Sequence, residues 1–504
     1  MNRSMHALIA VSLSAGITVG CKIQVVAPQG ASVVTRSGNY SCSAGNTCFI
    51  EVSNLLFDET FEVVPSDGYT FLSWRLRERG LCGGSADPCS LNTSGFADLE
   101  VLLAFLDSDE IFYLEAVVDN GTPWITNSES RAENIFENSS SLGVVEDVQS
   151  VTSQDGFTVV ATNGIPNYDV VVDDEILAAL NSRPLSARDF SAGVSTVAVN
   201  DIVQFGQDIG YASQTSGNCA ATGGGGYWPP GPVCPTALAR EEYFRETPTP
   251  ANDECELGLG TVGLMVNGTA IFNWGDGMSF GNNVWYNLAP IAEQYDVDIC
   301  GGHAANGEYH HHFYTSCLAN LVGDYGEEHS PIYGYAADGY PVYGPWEAKG
   351  VLAVSAWDAR DYGANPDEGG CGTPGERSCI LVDPYDVSAG IDASVEPGPD
   401  IGELVTTLSG NTLAASDGYY FEDYLFAGRE VAGAQLDEHN GHSTGDGRGY
   451  HYHITLNIDD NGDLQPSFPF TIGPRFYGEL ADNALTSCGG ATGGPGGPPA
   501  GPRP

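Results

Sequence analysis

Two stretches of this chain spell the same order of residues, so a fold that holds one must also hold the other. The first contains Asp298, Gly302, His303, Tyr309, His310 and His312, and the second Asp437, Gly441, His442, Tyr450, His451 and His453. The step from the lone His to the Tyr is six residues in the first copy and eight in the second. Nine of the ten histidines lie between His303 and His453. Imidazoles gathered in this way point to metal binding or acid–base work.

A His-x-His on a β-strand turns both rings to one face with Cα atoms about 7 Å apart, close enough to chelate one ion. His310/His312 and His451/His453 have this spacing. If the two copies pair as equivalent strands, their four rings converge. His303 and His442, each set before its pair by a Gly-containing turn, bring the candidate ligands to six. Such nitrogen donors suit Cu, Zn, Ni or Fe rather than Ca²⁺ or Mg²⁺. Asp298 and Asp437 are expected to accept an imidazole N–H and fix its tautomer, or to be ligands themselves, with Tyr309 and Tyr450 beside them in that outer layer. His311 alternates to the opposite face, where the second copy has Tyr452, and reads as structural. His329 and His439 lie near the cluster but outside the repeat. A single His beside a Tyr on a strand is more often a hydrogen-bonded core residue, a reading that six in a duplicated pattern resist.

The chain has 504 residues, too many for one compact core. Its 66 acidic residues against 18 basic ones give a net charge of −48. That surface repels phosphate backbones and anionic lipid headgroups, which argues against nucleic acid and peripheral membrane binding. An apolar run from Ala7 to Val19 is too short to span a bilayer and reads as a targeting signal. It ends Thr18-Val19-Gly20-Cys21, which resembles a bacterial lipobox with Cys21 as the lipidated residue, although Thr18 replaces the usual aliphatic one. Of 13 cysteines, setting Cys21 aside leaves an even number. Cys42 with Cys48, Cys82 with Cys89, Cys219 with Cys234, Cys300 with Cys317 and Cys371 with Cys379 suggest local disulfides; Cys255 and Cys488 remain. This usage suits an oxidising compartment.

The expected fold is mainly β, with a small β module followed by a large β-rich domain containing long loops and few short helices. Short β-branched segments between turn residues mark residues 22–118 as the first unit. Phe61 to Pro65, Gly68 to Phe71, Trp74 and Cys82-Gly83-Gly84 resemble a divergent internalin-type B repeat, which implies a spacer or adhesive stalk. Residues 119–141 read as a linker, 142–480 as the large domain and 481–504 as a Gly/Pro-rich disordered tail. Within the domain, Val262 to Phe272 reads as a hairpin, with Asn267-Gly268 in a type I′ turn. Ile454–Ile458 and Leu464 read as a second hairpin around Asn461-Gly462. Thr196–Val203 is a candidate strand, and Tyr362 to Pro399 a long loop.

Tyr450-His451-Tyr452-His453 resembles the signature of the YHYH-domain family. So do His329 to Tyr335, Asp338 to Pro345, Gly164 to Tyr168, Asn267-Gly268 with Ile271 to Asn273, and Asp437 to His442. The resemblance covers roughly residues 132–478 and implies a domain extent rather than an activity. The first copy departs from it in having His311 for the second Tyr. The family pattern also carries Cys at the position of His439 and again near Pro474 or Arg475. Both are absent here, which implies that packing or His439 itself holds this segment.

Other motifs are weak. Gly258 to Gly263 matches a dinucleotide fingerprint, but a hairpin follows where a helix is needed. Gly441-His442-Ser443-Thr444-Gly445 spells a nucleophile elbow in what reads as a loop. Asp459 to Asp463 lacks the spacing of a Ca²⁺ loop. Tyr333, Tyr335, Tyr340 and Tyr343 either line a pocket for sugars or aromatic ligands or pack in the core.

Three functions remain open. The leading one is an exported, lipid-anchored surface protein, or a periplasmic or extracellular one, that binds a Cu, Zn or Fe ion through the duplicated histidines. The second is a metal-dependent hydrolase or oxidoreductase, with Asp338 or Asp437 as base. The third is adhesion or carbohydrate binding to a cell-surface or extracellular ligand, with structural histidines.

Overall fold

The computed structural model describes residues 21–126, 148–182, 192–212 and 226–489, except 29, 53–54, 76, 78, 96–98, 107, 109, 167, 194–195, 206–207, 228–234, 236 and 409. The leader residues 1–20, the Cys219–Cys234 pairing, most of the expected linker and the tail from 490 lie outside the described residues. The chain divides into two compact units, 1–121 and 122–504.

In the first unit, two four-stranded sheets form. One runs Thr47–Val52, Cys21–Val26, Ile111–Asp119, Thr70–Trp74, and the other Ser41–Cys42, Ala31–Thr35, Asp58–Pro65, Cys89–Asn92. Val25, Val33, Phe61, Trp74 and Leu114 fill the core. Disulfides Cys42–Cys48 and Cys82–Cys89 close two of its loops.

The second unit is built on one eight-stranded sheet. Its strands are β1 (Thr261–Met265), β2 (Ala270–Phe272), β3 (Gly302–Ala305), β4 (Glu308–His311), β5 (Ile332–Ala336), β6 (Pro341–Tyr343), β7 (Gly441–Ser443) and β8 (Tyr450–His453). Across the sheet they lie in the order β3-β4-β2-β1-β5-β6-β8-β7. Counted outward from the middle, β1, β2, β4, β3 on one side match β5, β6, β8, β7 on the other. The pairings match too: β2 is parallel to β4, β6 is parallel to β8, and β1 meets β5 antiparallel at the centre. The duplicated motif is therefore one end of a larger internal duplication.

The turns repeat with the strands. Between β1 and β2, Gly268 N donates to Met265 O and Met265 N to Thr269 O; between β5 and β6, Gly339 N donates to Ala336 O and Ala336 N to Tyr340 O. Gly268 and Gly339 have φ of 84° and 92°. Only the glycine takes positive φ in each, so the expected type I′ turn at Asn267-Gly268 is instead a type I turn closed by a left-handed glycine. The Asn461-Gly462 hairpin forms the same way, between Leu456–Ile458 and Leu464–Pro466. Thr196–Val203 is a strand only from Ile202, and Gly441–Ser443 is a strand rather than a loop, with no helix after it.

Trp124 packs on Phe244 and Tyr335, and Ile125 N donates to Val266 O, so these residues belong to the second unit. The stretch between β6 and β7 folds as loops and short hairpins around a buried cation. Arg377 grips Asp423 with Nε and Nη2, both at 2.7 Å, and gives its remaining donors to Pro399 O, Ala415 O and Ser416 O. Cys300–Cys317, Cys371–Cys379 and Cys255–Cys488 complete five disulfides among the described residues. His439 Nδ1 lies 3.2 Å from Arg475 O and Gly473 N donates to His439 O, but the expectation that His439 or packing stands in for a disulfide at this segment is corrected by the Cys255–Cys488 bond. That bond stands beside the segment, because Cys255 pairs in the ladder with Phe476.

Candidate metal centres

The six histidines of the repeat lie on one face of the sheet. In the ladder, His303 stands opposite His310, His310 beside Ala270, Ala270 opposite Leu264, Leu264 opposite Tyr335 and Tyr335 opposite Pro341. Val342 pairs with Tyr452, which puts Pro341 beside His451, and His451 stands opposite His442. Paired residues share a face, so this row carries both histidine sets on the same side. It also places them at opposite edges. Five strand spacings of about 4.8 Å separate β4 from β8, roughly 24 Å. The expectation that the two copies pair with each other and converge on one ion is therefore corrected: each copy builds its own centre.

In the first centre His303, His310 and His312 are buried. Glu293, the C-cap of the short helix Ala289–Ala292, joins them. His310 Nδ1 lies 3.0 Å from Glu308 O and His312 Nδ1 2.5 Å from Asn273 O. A carbonyl only accepts, so each Nδ1 carries the proton and each Nε2 presents a lone pair. Yet the two Nε2 atoms lie 3.1 Å apart. Glu293 Oε2 is 3.1 Å from His303 Nε2 and 3.2 Å from His312 Nε2, but makes no hydrogen bond of proper geometry. Four donors thus face a common point rather than one another. Tetrahedral ligands about 2.1 Å from an ion are about 3.4 Å from each other, close to these separations.

The second centre repeats the construction. His451 Nδ1 lies 2.9 Å from Gly449 O and His453 Nδ1 2.7 Å from Gly344 O, which leaves both Nε2 atoms as acceptors. Asn273 and Gly344, each just beyond the end of β2 or β6, receive the equivalent histidines His312 and His453. Glu347 Oε2 is 3.2 Å from His442 Nε2 and 3.6 Å from His453 Nε2. His329, which has no counterpart in the first half, adds a fourth ring; its Nδ1 lies 2.8 Å from Ser330 O. The Nε2 atoms of His329, His442, His451 and His453 and Glu347 Oε2 are all buried without a hydrogen-bond partner. Glu293 with His303, His310 and His312 forms one group able to hold an ion; His329 with His451 and His453, and Glu347 with His442 and His453, form two that share His453.

Electrostatics separate the centres. Burial alone would raise the Glu293 carboxyl, but His312 and His303 override it and hold it far below the usual range. His303 is opposed by burial, and Glu293 raises it. His310 is pushed well below its ordinary value by burial and then by the neighbouring rings. In the second centre burial lowers His442, His453 and, to about 4, His451, so these rings are neutral near pH 7.

The expected roles of Asp298, Asp437, Tyr309 and Tyr450 are corrected. Asp298 accepts from Tyr309 Oη at 2.7 Å and from Cys300 N and Gly302 N; Asp437 accepts from Tyr450 Oη at 3.0 Å and from His439 N and Gly441 N. They build the turns that start β3 and β7 and tie down tyrosines on the opposite face. The Nδ1–H groups of His310, His312, His451 and His453 go to backbone carbonyls instead. His311 is buried on that opposite face, its Nε2 3.0 Å from Tyr168 Oη. Asp338 accepts from Tyr452 Oη at 2.5 Å, on the face opposite the metal-centre histidines.

Glu293, Glu347 and the inclusion of His329 were not legible in the repeat. Glu293 precedes its copy on a helix and Glu347 follows β6, so the two share no spacing that a sequence comparison would detect.

Residues 243–362 match the family model described as YHYH protein. The matched stretch contains Tyr309 to His312 and both glutamates; Tyr450 to His453 lies beyond it. No curated protein matches the chain, and no solved structure does.

Proposed function

We propose that the second unit of this chain, whose residues 243–362 match the YHYH family model, binds transition-metal ions at two separate centres. The first takes an ion through His303, His310, His312 and Glu293. The second takes one through His442, His451, His453 and Glu347, with His329 alongside. The observation that carries this reading is the set of buried Nε2 atoms that converge while the Nδ1 atoms of His310, His312, His329, His451 and His453 lie against backbone carbonyls. Without a cation, those lone pairs face one another at a cost of several kcal/mol per unsatisfied buried group. Imidazoles with one carboxylate suit Zn, Cu or Fe. Four or more protein donors fill a tetrahedral shell, the pattern of a structural or sequestering site rather than of a catalytic one with an open position.

The same reading makes this an exported protein anchored through Cys21. Five disulfides support an oxidising compartment. No described helix is long and apolar enough to cross a membrane.

Elemental analysis of untagged protein tests the metal reading. We expect two ions per chain, falling to one in His310→Ala/His312→Ala and to one in His451→Ala/His453→Ala. Metal content unchanged in both double variants ends the proposal.

A further inference from the structure

A cleft of about 460 Å³ opens beside the β5–β6 turn, lined by Arg245, Arg448, Tyr335, Tyr340, Pro341 and Tyr450 among others. Its volume lies within the range of pockets that hold small molecules. The internal duplication supplies a comparison. Where the second half carries Tyr335, Tyr340 and Pro341, the first carries Leu264, Thr269 and Ala270, all buried. There the turn is closed off: a Cβ on Gly268 would meet Thr162 Oγ1 at 2.2 Å, and that hydroxyl lies 3.2 Å from Gly268 O. At the equivalent Gly339 the nearest atoms belong to Arg245, its carbonyl oxygen 3.0 Å from such a Cβ. Leu264, Thr269 and Ala270 in one half thus correspond to two tyrosines and a proline in the other.

The charge in the cleft is equally specific. Acidic residues outnumber basic ones 66 to 18, so a guanidinium without a carboxylate is unusual in this chain. Among the described residues, the Arg245 guanidinium has no hydrogen bond or ion pair, and its Nε is buried. The guanidinium carbon lies over the Phe157 ring, 5.6 Å from its centroid. Arg448 is already paired with Asp446. The acid in the lining, Glu246, accepts from Ser153 Oγ at 2.5 Å. One free planar fork remains, suited to a single carboxylate held bidentately. A dianionic phosphate would ask for more positive charge than the cleft offers.

We propose that this cleft binds a small carboxylated sugar, its carboxylate on Arg245 and its hydroxylated ring against Tyr335, Tyr340 and Tyr450. Tyr335 and Tyr340 suit that ring because a phenol combines an apolar face with a hydroxyl, whereas Tyr450 already stacks on Tyr477 and gives its hydroxyl to Asp437, so it serves only as a wall. The site is independent of the metal centres, since none of their ligands lines it.

Calorimetric titration of the full untagged chain with galacturonate, galactose and inorganic phosphate tests the proposal. Galacturonate is expected to bind at one site, with galactose and phosphate each weaker by about tenfold or more. Arg245→Gln is expected to weaken galacturonate by about tenfold or more, and Arg245→Lys by less, because it keeps the charge but loses the fork. Metal content serves as the check that both variants are folded and should not change. No heat with galacturonate, equal binding of galactose or phosphate, or undiminished affinity in a metal-replete Arg245→Gln overturns the proposal.

Discussion

His310 Nε2 lies 3.1 Å from His312 Nε2, although each ring has its Nδ1 proton committed to a backbone carbonyl. Two neutral acceptors at that distance repel unless a proton or a cation stands between them. Burial holds His310 well below its ordinary pKa, which disfavours the proton. A cation shared with His303 and Glu293, whose donor atoms lie within 4.8 Å of both, also suits this geometry.

Removal of metal should therefore destabilise the second unit. A ligand present at 100 times its Kd adds about 2.7 kcal/mol to the folded state. Exhaustive chelation is expected to lower the Tm, and stoichiometric Zn²⁺ or Cu²⁺ to restore it. A Tm indifferent to chelation would count against both centres.

His329 is present in only one half. His329→Ala should weaken the second centre by about tenfold or more and leave the first unchanged. Competitive titration in a His310→Ala/His312→Ala background, where only the second centre binds, isolates the effect. An unchanged affinity there would make His329 a packing residue.

Tyr452 Oη donates to Asp338 and accepts from Tyr477 N at 2.7 Å, on the face away from the metal ligands. Tyr452→Phe leaves a buried carboxylate one donor short and an amide without its acceptor. The expected cost is about 1–3 kcal/mol in urea unfolding, with metal content unchanged. Loss of metal at full stability would reverse that assignment.

Asp276 gives the metal-free protein a pH dependence. Burial, and then the charge of Glu293, raise its carboxyl from 3.8 to about 7. The folded state therefore binds this proton more tightly than the unfolded chain. Its contribution to stability is full below pH 3.8 and is lost as pH rises through about 7. Asp276→Asn keeps an acceptor for Met278 N and removes the titration. Chelated wild type should lose more stability than the variant between pH 5 and pH 8, measured by urea midpoints. Parallel curves would rule the effect out.

Much of the local structure was legible. Alternation placed His310 and His312 on one side of a strand and His311 on the other, because side-chain direction along a strand depends only on neighbours two residues apart. Short cysteine spacings anticipated Cys42–Cys48, Cys82–Cys89, Cys300–Cys317 and Cys371–Cys379, since nearby chain closes small loops readily. Asp298 and Asp437 read in the sequence as imidazole acceptors or as ligands, since each recurs at the same distance before its histidine. The spacing instead reflects the turn each builds, which the adjacent Tyr–Asp bond obscures in one dimension.

The order of residues by itself determined that this chain carries two equivalent histidine motifs and that each presents its rings on one face. Periodicity and short-range spacing suffice for that. Tertiary structure alone decided that the motifs sit at opposite edges of one sheet and that Glu293, Glu347 and His329 join them. Those facts depend on which strands pair across the centre, β1 with β5, and on where a helix and a loop return to the sheet. Contacts between residues far apart in the chain leave no local period to read.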